Sequence, residues 1–148
     1  MKKKRVFLLA ACLCLLFIWG NSLLPAKQSS KISNGITHVA VPELEGMALS
    51  NEGEKLRHFA HLAEFALLGG LIVLGLDAGK YFWHRSTATA VICVAVALLD
   101  EAIQYFVPGR GACMDDVLQD VKGAVLGIVA AELFLLLLWL LRRKRHSN

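Results

Sequence analysis

The segment VLQDVKGAVLGIVAAELFLLLLWLL, residues 117–141, decides the fold class of this 148-residue chain. A helix needs about 20 mostly apolar residues to cross the hydrocarbon core of a bilayer, and this segment is longer than that. Further apolar segments at residues 6–24, 59–76 and 88–107 come close to the same requirement. Hydrophobic residues make up 56% of the chain and charged residues 19%, which is too apolar for an ordinary soluble domain. We therefore predict an integral membrane protein.

Four helices are the simplest arrangement of these segments. Because backbone polar groups cannot be left unpaired in lipid, only helices and closed barrels span membranes. The sequence has no alternating ten-residue pattern of the kind that barrel strands show. We therefore predict an all-α bundle of four transmembrane helices that forms a single domain over residues 1–148. The Pro108-Gly109 pair should force a turn that makes the third and fourth helices hairpin neighbours.

Basic residues flank the apolar segments on one side of the predicted membrane. They occur at residues 2–5, in the predicted second loop at Lys80 and Arg85, and at residues 142–145. The positive-inside rule places all three groups in the cytoplasm, which an even number of spans allows. We therefore expect a multi-pass protein of the bacterial cell membrane with both termini cytoplasmic. Because their role in setting the membrane topology explains why these basic groups are present, we do not expect the protein to bind nucleic acid.

The start of the chain also resembles a signal peptide, because basic residues precede an apolar segment. Residues 9–12, LAAC, even resemble a lipoprotein cleavage box. The apolar run before Cys12 is short, however, and the chain stays apolar through Gly20. We expect an uncleaved helix, and cleavage near Ala26 would leave the orientation of the later segments unchanged.

Three groups of polar residues lie at the end of the segments that this topology places outside. At about 100° per residue, the groups in the second and third segments each cover an arc of about 120° or less. Each group therefore points to one side of its helix, and all three should meet at one face of the membrane. The groups are His58, His61 and Glu64 in the second segment, Asp100, Glu101 and Gln104 in the third, and Asp115, Asp116 and Asp120 in the fourth.

Acidic residues on inward faces of membrane helices need partners. An acid at the bilayer centre costs about 2.5 to 3.5 kcal/mol on insertion scales, and less near the interface. Pairing with nearby cations, which would hold the helices together, is one interpretation of any single acid. For the whole set we favour a functional site. The nearby cations are Arg57, His58, His61, Arg110 and Lys122.

Two kinds of site fit these residue types. One is a site that binds a polar headgroup or a sugar, or that relays protons. Its candidate residues are His61, Glu64, Asp100, Glu101, Gln104, Arg110, Asp116 and Asp120. The other is a divalent-metal site that polarises a phosphate or activates water.

The candidate metal ligands are His61, Asp116 and Asp120, and either Glu64 or Glu101 would be the catalytic base. The spacing of these ligands matches no established metal signature. No cofactor is therefore predicted, although the residue types suit a divalent metal.

The fourth segment has two further features. Gly123 and Gly127 continue the face of Asp116 and Asp120, and small residues at this spacing let helices approach closely. We therefore predict that this face packs against another helix. Glu132 lies on the side opposite Asp116, where it snorkels, pairs with another helix or marks an oligomer contact, and the sequence does not decide among these.

Three parts of the sequence resemble the VanZ-like family. They are HLAEF at residues 61–65 with Leu68-Gly69, DEAIQ at 100–104 with FVPGR at 106–110, and Asp116-Val117 with Asp120, Gly123 and Gly127. Together with Asn21-Ser22 they cover nearly the whole chain in the expected order. Phe65 departs from the family, whose members often have tyrosine there, so a role that needs the hydroxyl is in doubt. Residues 25–57 match no family motif.

This resemblance implies a function at the cell envelope. The family is similar to the accessory protein associated with low-level resistance to the glycopeptide teicoplanin in Gram-positive bacteria, but the resemblance supplies no biochemical mechanism. We expect an envelope protein that binds or alters an envelope component at the outer face and contributes to teicoplanin tolerance. Its expected partners are the lipid bilayer and a cell-wall component, a lipid-linked component or the glycopeptide itself.

Two other functions stay open. One is a metal-assisted membrane enzyme that acts on a lipid-linked envelope substrate. The other is an ion- or proton-coupled carrier, which is disfavoured because the cytoplasmic halves of the first three apolar segments lack ionisable residues.

Overall fold

A computed structural model describes residues 2–25, 52–76 and 82–146 of the chain. These residues contain four helices and no strand, so the predicted all-α fold is confirmed. Each helix is long and apolar enough to cross a membrane. Most of the predicted outer loop, together with Lys80 and the side chain of Arg57, lies outside the described residues. The helices are α1 (Lys2–Ser22), α2 (Glu52–Gly75), α3 (Phe82–Tyr105) and α4 (Met114–His146).

The third helix is longer than its apolar segment. It begins at Phe82, six residues before the predicted start at Ala88, so Arg85 belongs to the helix and not to a loop. The sequence prediction was wrong here because hydropathy locates the part of a helix that suits lipid, and a helix can continue beyond it with polar residues.

The turn between α3 and α4 forms where the sequence predicted it. Proline disfavours helical geometry in the residue before it, and α3 ends at Tyr105, ahead of Pro108. Gly109 follows with a φ of 80°, in the left-handed region that glycine adopts without steric cost. The Arg110 amide donates to the Val107 carbonyl at 3.1 Å and closes the turn. The predicted hairpin between α3 and α4 is therefore present.

The closest packing joins α2 and α4, which run in the same direction. Cβ atoms on Gly123 and Gly127 would collide with the backbone carbonyl oxygens of Leu62 and Ala66, respectively. A Cβ on Gly69 would come within 2.7 Å of the carbonyl oxygen of Ala124. Only helices in backbone contact have so little room, and small residues four apart permit that contact. The predicted packing of the Gly123 face is therefore confirmed.

The remaining helices close the bundle from the other side. Ile18 of α1, Phe65 and Leu68 of α2, and Cys93 and Ala97 of α3 form the centre of the apolar core, and each is at most 2% exposed. Because α1 and α3 run against α2 and α4, the ends of α1 and α3 lie beside the starts of α2 and α4. We call this end of the bundle the polar end. The opposite end, which carries the basic residues near the two termini, is the basic end.

Candidate functional site

Two histidine and aspartate pairs join α2 to α4 at the polar end. His58 Nε2 lies 3.2 Å from Asp116 Oδ1, and one turn deeper His61 Nδ1 lies 3.5 Å from Asp120 Oδ1. Deeper in the bundle, α2 and α4 pack closely in parallel, which keeps the two helices in register. This register places each histidine opposite its aspartate. The outer pair is partly exposed, with side-chain exposures of 32% and 18%, whereas Asp120 is 1% exposed. The polar residues therefore extend from the surface into the bundle.

The third helix adds buried polar side chains to the same end. Asp100 is completely buried, and Gln104 Nε2 donates to its Oδ2 at 2.7 Å. Glu101, 5% exposed, accepts a hydrogen bond at Oε2 from the backbone N–H of Cys113 at 2.8 Å. Cys113 directly precedes α4, so Glu101 fixes the start of α4 against the end of α3. The structure thus brings together residues of all three sequence groups.

The first helix contributes a residue that the sequence did not identify as part of the site. Asn21 Nδ2 donates to Glu64 Oε1 at 3.1 Å, and the Asn21 carbonyl accepts from Arg110 NH2 at 3.1 Å. Asn21 therefore connects α1, α2 and the turn after α3. The only signal in the sequence was the Asn21-Ser22 pair at the end of an apolar segment, and Ser22 is also fully buried.

These residues define what we call the polar cluster. It contains Asn21 of α1; His58, His61 and Glu64 of α2; Asp100, Glu101 and Gln104 of α3; Arg110 of the turn; and Asp116 and Asp120 of α4. Every binding residue predicted from the sequence is therefore placed at the same end of the bundle. Asp115, which the sequence grouped with Asp116, is exposed and takes no part in the contacts described above.

Several carboxylate oxygens of the polar cluster are buried without a hydrogen bond. Within the described ranges, no donor reaches Oε2 of Glu64, Oδ1 of Asp100, Oε1 of Glu101 or either side-chain oxygen of Asp120. An unsatisfied buried acceptor costs about 1–3 kcal/mol, and more when it is charged. Mutual pairing therefore accounts for only part of the polar cluster, and the remaining oxygens are available to a ligand.

One subset of the polar cluster has the arrangement of metal ligands. Ligand atoms of His61, Asp100 and Asp120 all lie within 4.8 Å of one another, and they form the one such group found among the residues described. The sequence placed Asp116 in this set instead of Asp100. Asp116 is paired with His58, one helical turn nearer the surface. The structure therefore keeps two of the predicted ligands together and substitutes Asp100 for the third.

The family of the chain follows from comparison with known proteins. The family model described as VanZ/LLP1 matches residues 7–139, which include all or part of each of the four helices. The chain belongs to the VanZ/LLP1 family. The resemblance found in the sequence is therefore confirmed, and family and helices together identify a multi-pass membrane protein. No curated protein and no solved structure matches the chain significantly.

Phe65 is the position where this VanZ/LLP1 chain departs from the tyrosine common in the family. Its side chain is completely buried and packs within the apolar core. The phenylalanine ring therefore belongs to the apolar core and adds no polar group to the bundle.

A second ionic contact lies toward the basic end of the VanZ/LLP1 bundle. Glu132 accepts hydrogen bonds from Arg85 Nε at 3.1 Å and from Arg85 NH2, and Ser86 Oγ donates to it at 2.7 Å. Of the three sequence interpretations of Glu132, pairing with another helix is the one observed. Because α3 begins at Phe82, it carries Arg85 ahead of the predicted segment, so this half of the helix does contain a charged residue. The pair lies about 18 Å along α4 from Asp120 at 1.5 Å per residue.

Proposed function

We propose that this protein acts in the bacterial cell envelope, binding an envelope component or a glycopeptide through the polar cluster and thereby contributing to teicoplanin tolerance. The observation that carries the proposal is the set of buried carboxylate oxygens that lack hydrogen-bond donors in the described part of the chain. A cluster that served only to join helices would be expected to satisfy its own polar groups, because unsatisfied acceptors lower stability.

The proposal places the polar cluster on the outer face of the cell membrane. Lys4 and Arg5 near the start of α1 and residues 142–144 near the end of α4 lie at the basic end, opposite the polar cluster. The positive-inside rule favours the cytoplasm for such residues, and both termini would then be cytoplasmic. An outward polar cluster would meet teicoplanin and cell-wall components without their crossing the membrane.

The chemistry of the polar cluster favours a ligand rich in hydrogen-bond donors. An ionised carboxylate accepts hydrogen bonds and donates none, so the free oxygens of Glu64 and Glu101 need hydroxyl, amine or amide groups opposite them. Sugars and amines present such groups, and they occur in cell-wall components and in glycopeptides. Arg110 donates to the carbonyl of Asn21, whose side-chain amide donates to Glu64, so a cation belongs to the same hydrogen-bond network.

The test is teicoplanin susceptibility in a Gram-positive host that lacks its own copy of the protein. The wild type should raise the minimum inhibitory concentration, whereas Asp120→Asn, His61→Ala and Arg110→Ala should return it toward the empty-vector value. Asp115→Asn is the matched control, since Asp115 is an exposed aspartate in the first turn of α4. Protein levels in the membrane must be equal for the comparison. Equal tolerance across all variants, or no effect of the wild type, would overturn the proposal.

A further inference from the structure

Three side chains of the polar cluster are placed like the ligands of one metal ion. His61 Nδ1 and Asp120 Oδ1 are 3.5 Å apart, and one ligand atom from each of His61, Asp100 and Asp120 lies within 4.8 Å of the other two. This separation is long for a hydrogen bond. It is close to the roughly 3.4 Å expected between two ligands bound tetrahedrally at about 2.1 Å from zinc.

The hydrogen bonds around the three ligands leave the ligating atoms available. Gln104 occupies one oxygen of Asp100, while the other oxygen has no donor among the described residues. Asp120 has no hydrogen-bond donor at either oxygen within the same residues, although it is 1% exposed. Asp100 is therefore held as metal-binding carboxylates commonly are, with one oxygen fixed by a neighbouring hydrogen bond.

Charge favours a dication at this position. Asp100 and Asp120 are almost completely buried, and two carboxylates in an apolar interior repel each other and are poorly solvated. A doubly charged cation bound to both, with a neutral histidine as the third ligand, gives a group with no net charge.

The geometry points to a divalent first-row transition metal, with Zn²⁺ the closest fit, bound by His61, Asp100 and Asp120. One imidazole nitrogen with two carboxylates suits Zn²⁺ better than Ca²⁺ or Mg²⁺, which prefer oxygen ligands alone. Three protein ligands leave a fourth position open to water or to a group of the bound molecule. This inference deepens the proposed function by naming what joins the ligand to the polar cluster. It rests on its own geometry, so it is testable without teicoplanin.

The first test is the metal content of the purified full chain. The protein should carry a tag without histidines, be extracted in mild detergent without chelator, and be measured by mass spectrometry of the elements. About one divalent metal ion per chain is expected for the wild type and for Asp115→Asn. Asp100→Asn and Asp120→Asn should retain at least about tenfold less. Asp116→Asn distinguishes the two ligand sets and should keep the metal.

A second measurement keeps the inference testable if the Asp100→Asn and Asp120→Asn variants fail to fold. In Asp120→Cys a thiolate replaces the carboxylate ligand, and Co²⁺ bound there should show a near-ultraviolet sulfur-to-cobalt charge-transfer band. The wild type, whose own cysteines lie outside the ligand set, should bind Co²⁺ without that band. Absence of stoichiometric metal and of Co²⁺ binding in the wild type would overturn the inference. So would loss of metal in Asp116→Asn with retention in Asp100→Asn. Neither result would affect the susceptibility test of the proposed function.

Discussion

Gly127 of α4 faces the backbone of Ala66 of α2 so closely that a single added methyl group would meet the Ala66 carbonyl. At this contact the backbones of two parallel helices meet with no room for a side chain between them. Two and three turns nearer the polar end, the same alignment sets His61 opposite Asp120 and His58 opposite Asp116. The polar cluster therefore depends on a glycine that lies outside it.

Gly127→Ala should destabilise the protein by about 1–3 kcal/mol, because the helices must separate to admit the methyl group. The measurement is thermal unfolding of the purified chain in detergent. Gly20→Ala is the control, since a Cβ there would meet no atom within 4 Å. If both variants were as stable as the wild type, the close packing of α2 and α4 would be refuted.

Asn21 and Glu64 should be energetically coupled. Removing the Asn21 amide leaves Glu64 with one donor fewer, which costs about 1–3 kcal/mol for a buried acceptor. A double-mutant cycle of Asn21→Ala and Glu64→Met, in which each single variant removes the hydrogen bond, measures the coupling through the free energy of unfolding. A coupling energy near zero would show that the first helix is not tied to the polar cluster.

The sequence predicted the architecture well because hydropathy and helical periodicity act within one segment. Residues 117–141 could only be a spanning helix, and the glycine face of α4 could only be a contact face. The sequence was less informative about features that depend on the relative position of two helices. Periodicity gives Asp116 and Asp120 the same direction on α4, but it does not say which lies at the depth of Asp100. That depth is set by the packing of α3 against α4.

Other details were missed because a single residue carried too little signal. Asn21 is one amide at the end of an apolar segment, and such a residue is equally common at a lipid headgroup boundary. Arg85 was assigned to a loop because basic residues usually mark the end of a span. Its partner Glu132 is 47 residues away, and no local pattern connects the two.

Arg85 and Glu132 should contribute stability through their pairing and not through either charge alone. Breaking a buried pair by removing one partner costs about 3–5 kcal/mol, whereas replacing both with apolar residues is often neutral. Arg85→Met and Glu132→Met should each lower the unfolding temperature strongly, and the double variant should recover most of the loss. Additive losses in the double variant would contradict this account.

Cys113 provides a test of the proposed orientation. It is exposed at the polar end, whereas Cys14 and Cys93 are buried. In a Cys12→Ser background, a membrane-impermeant maleimide should label intact cells, and Cys113→Ser should abolish the labelling. Labelling that required permeabilised cells would place the polar cluster in the cytoplasm.

The central claim is that the polar cluster exists to bind a ligand and not to hold the helices together. The unfolding temperature of Asp120→Asn in detergent and excess chelator tests it most directly, with Asp115→Asn as control. A neutral amide costs less to bury than a carboxylate whose oxygens lack donors, so we expect Asp120→Asn to melt about 2–4 °C above the wild type. A variant that melts several degrees below the wild type would show that Asp120 supports the fold, and would contradict the claim.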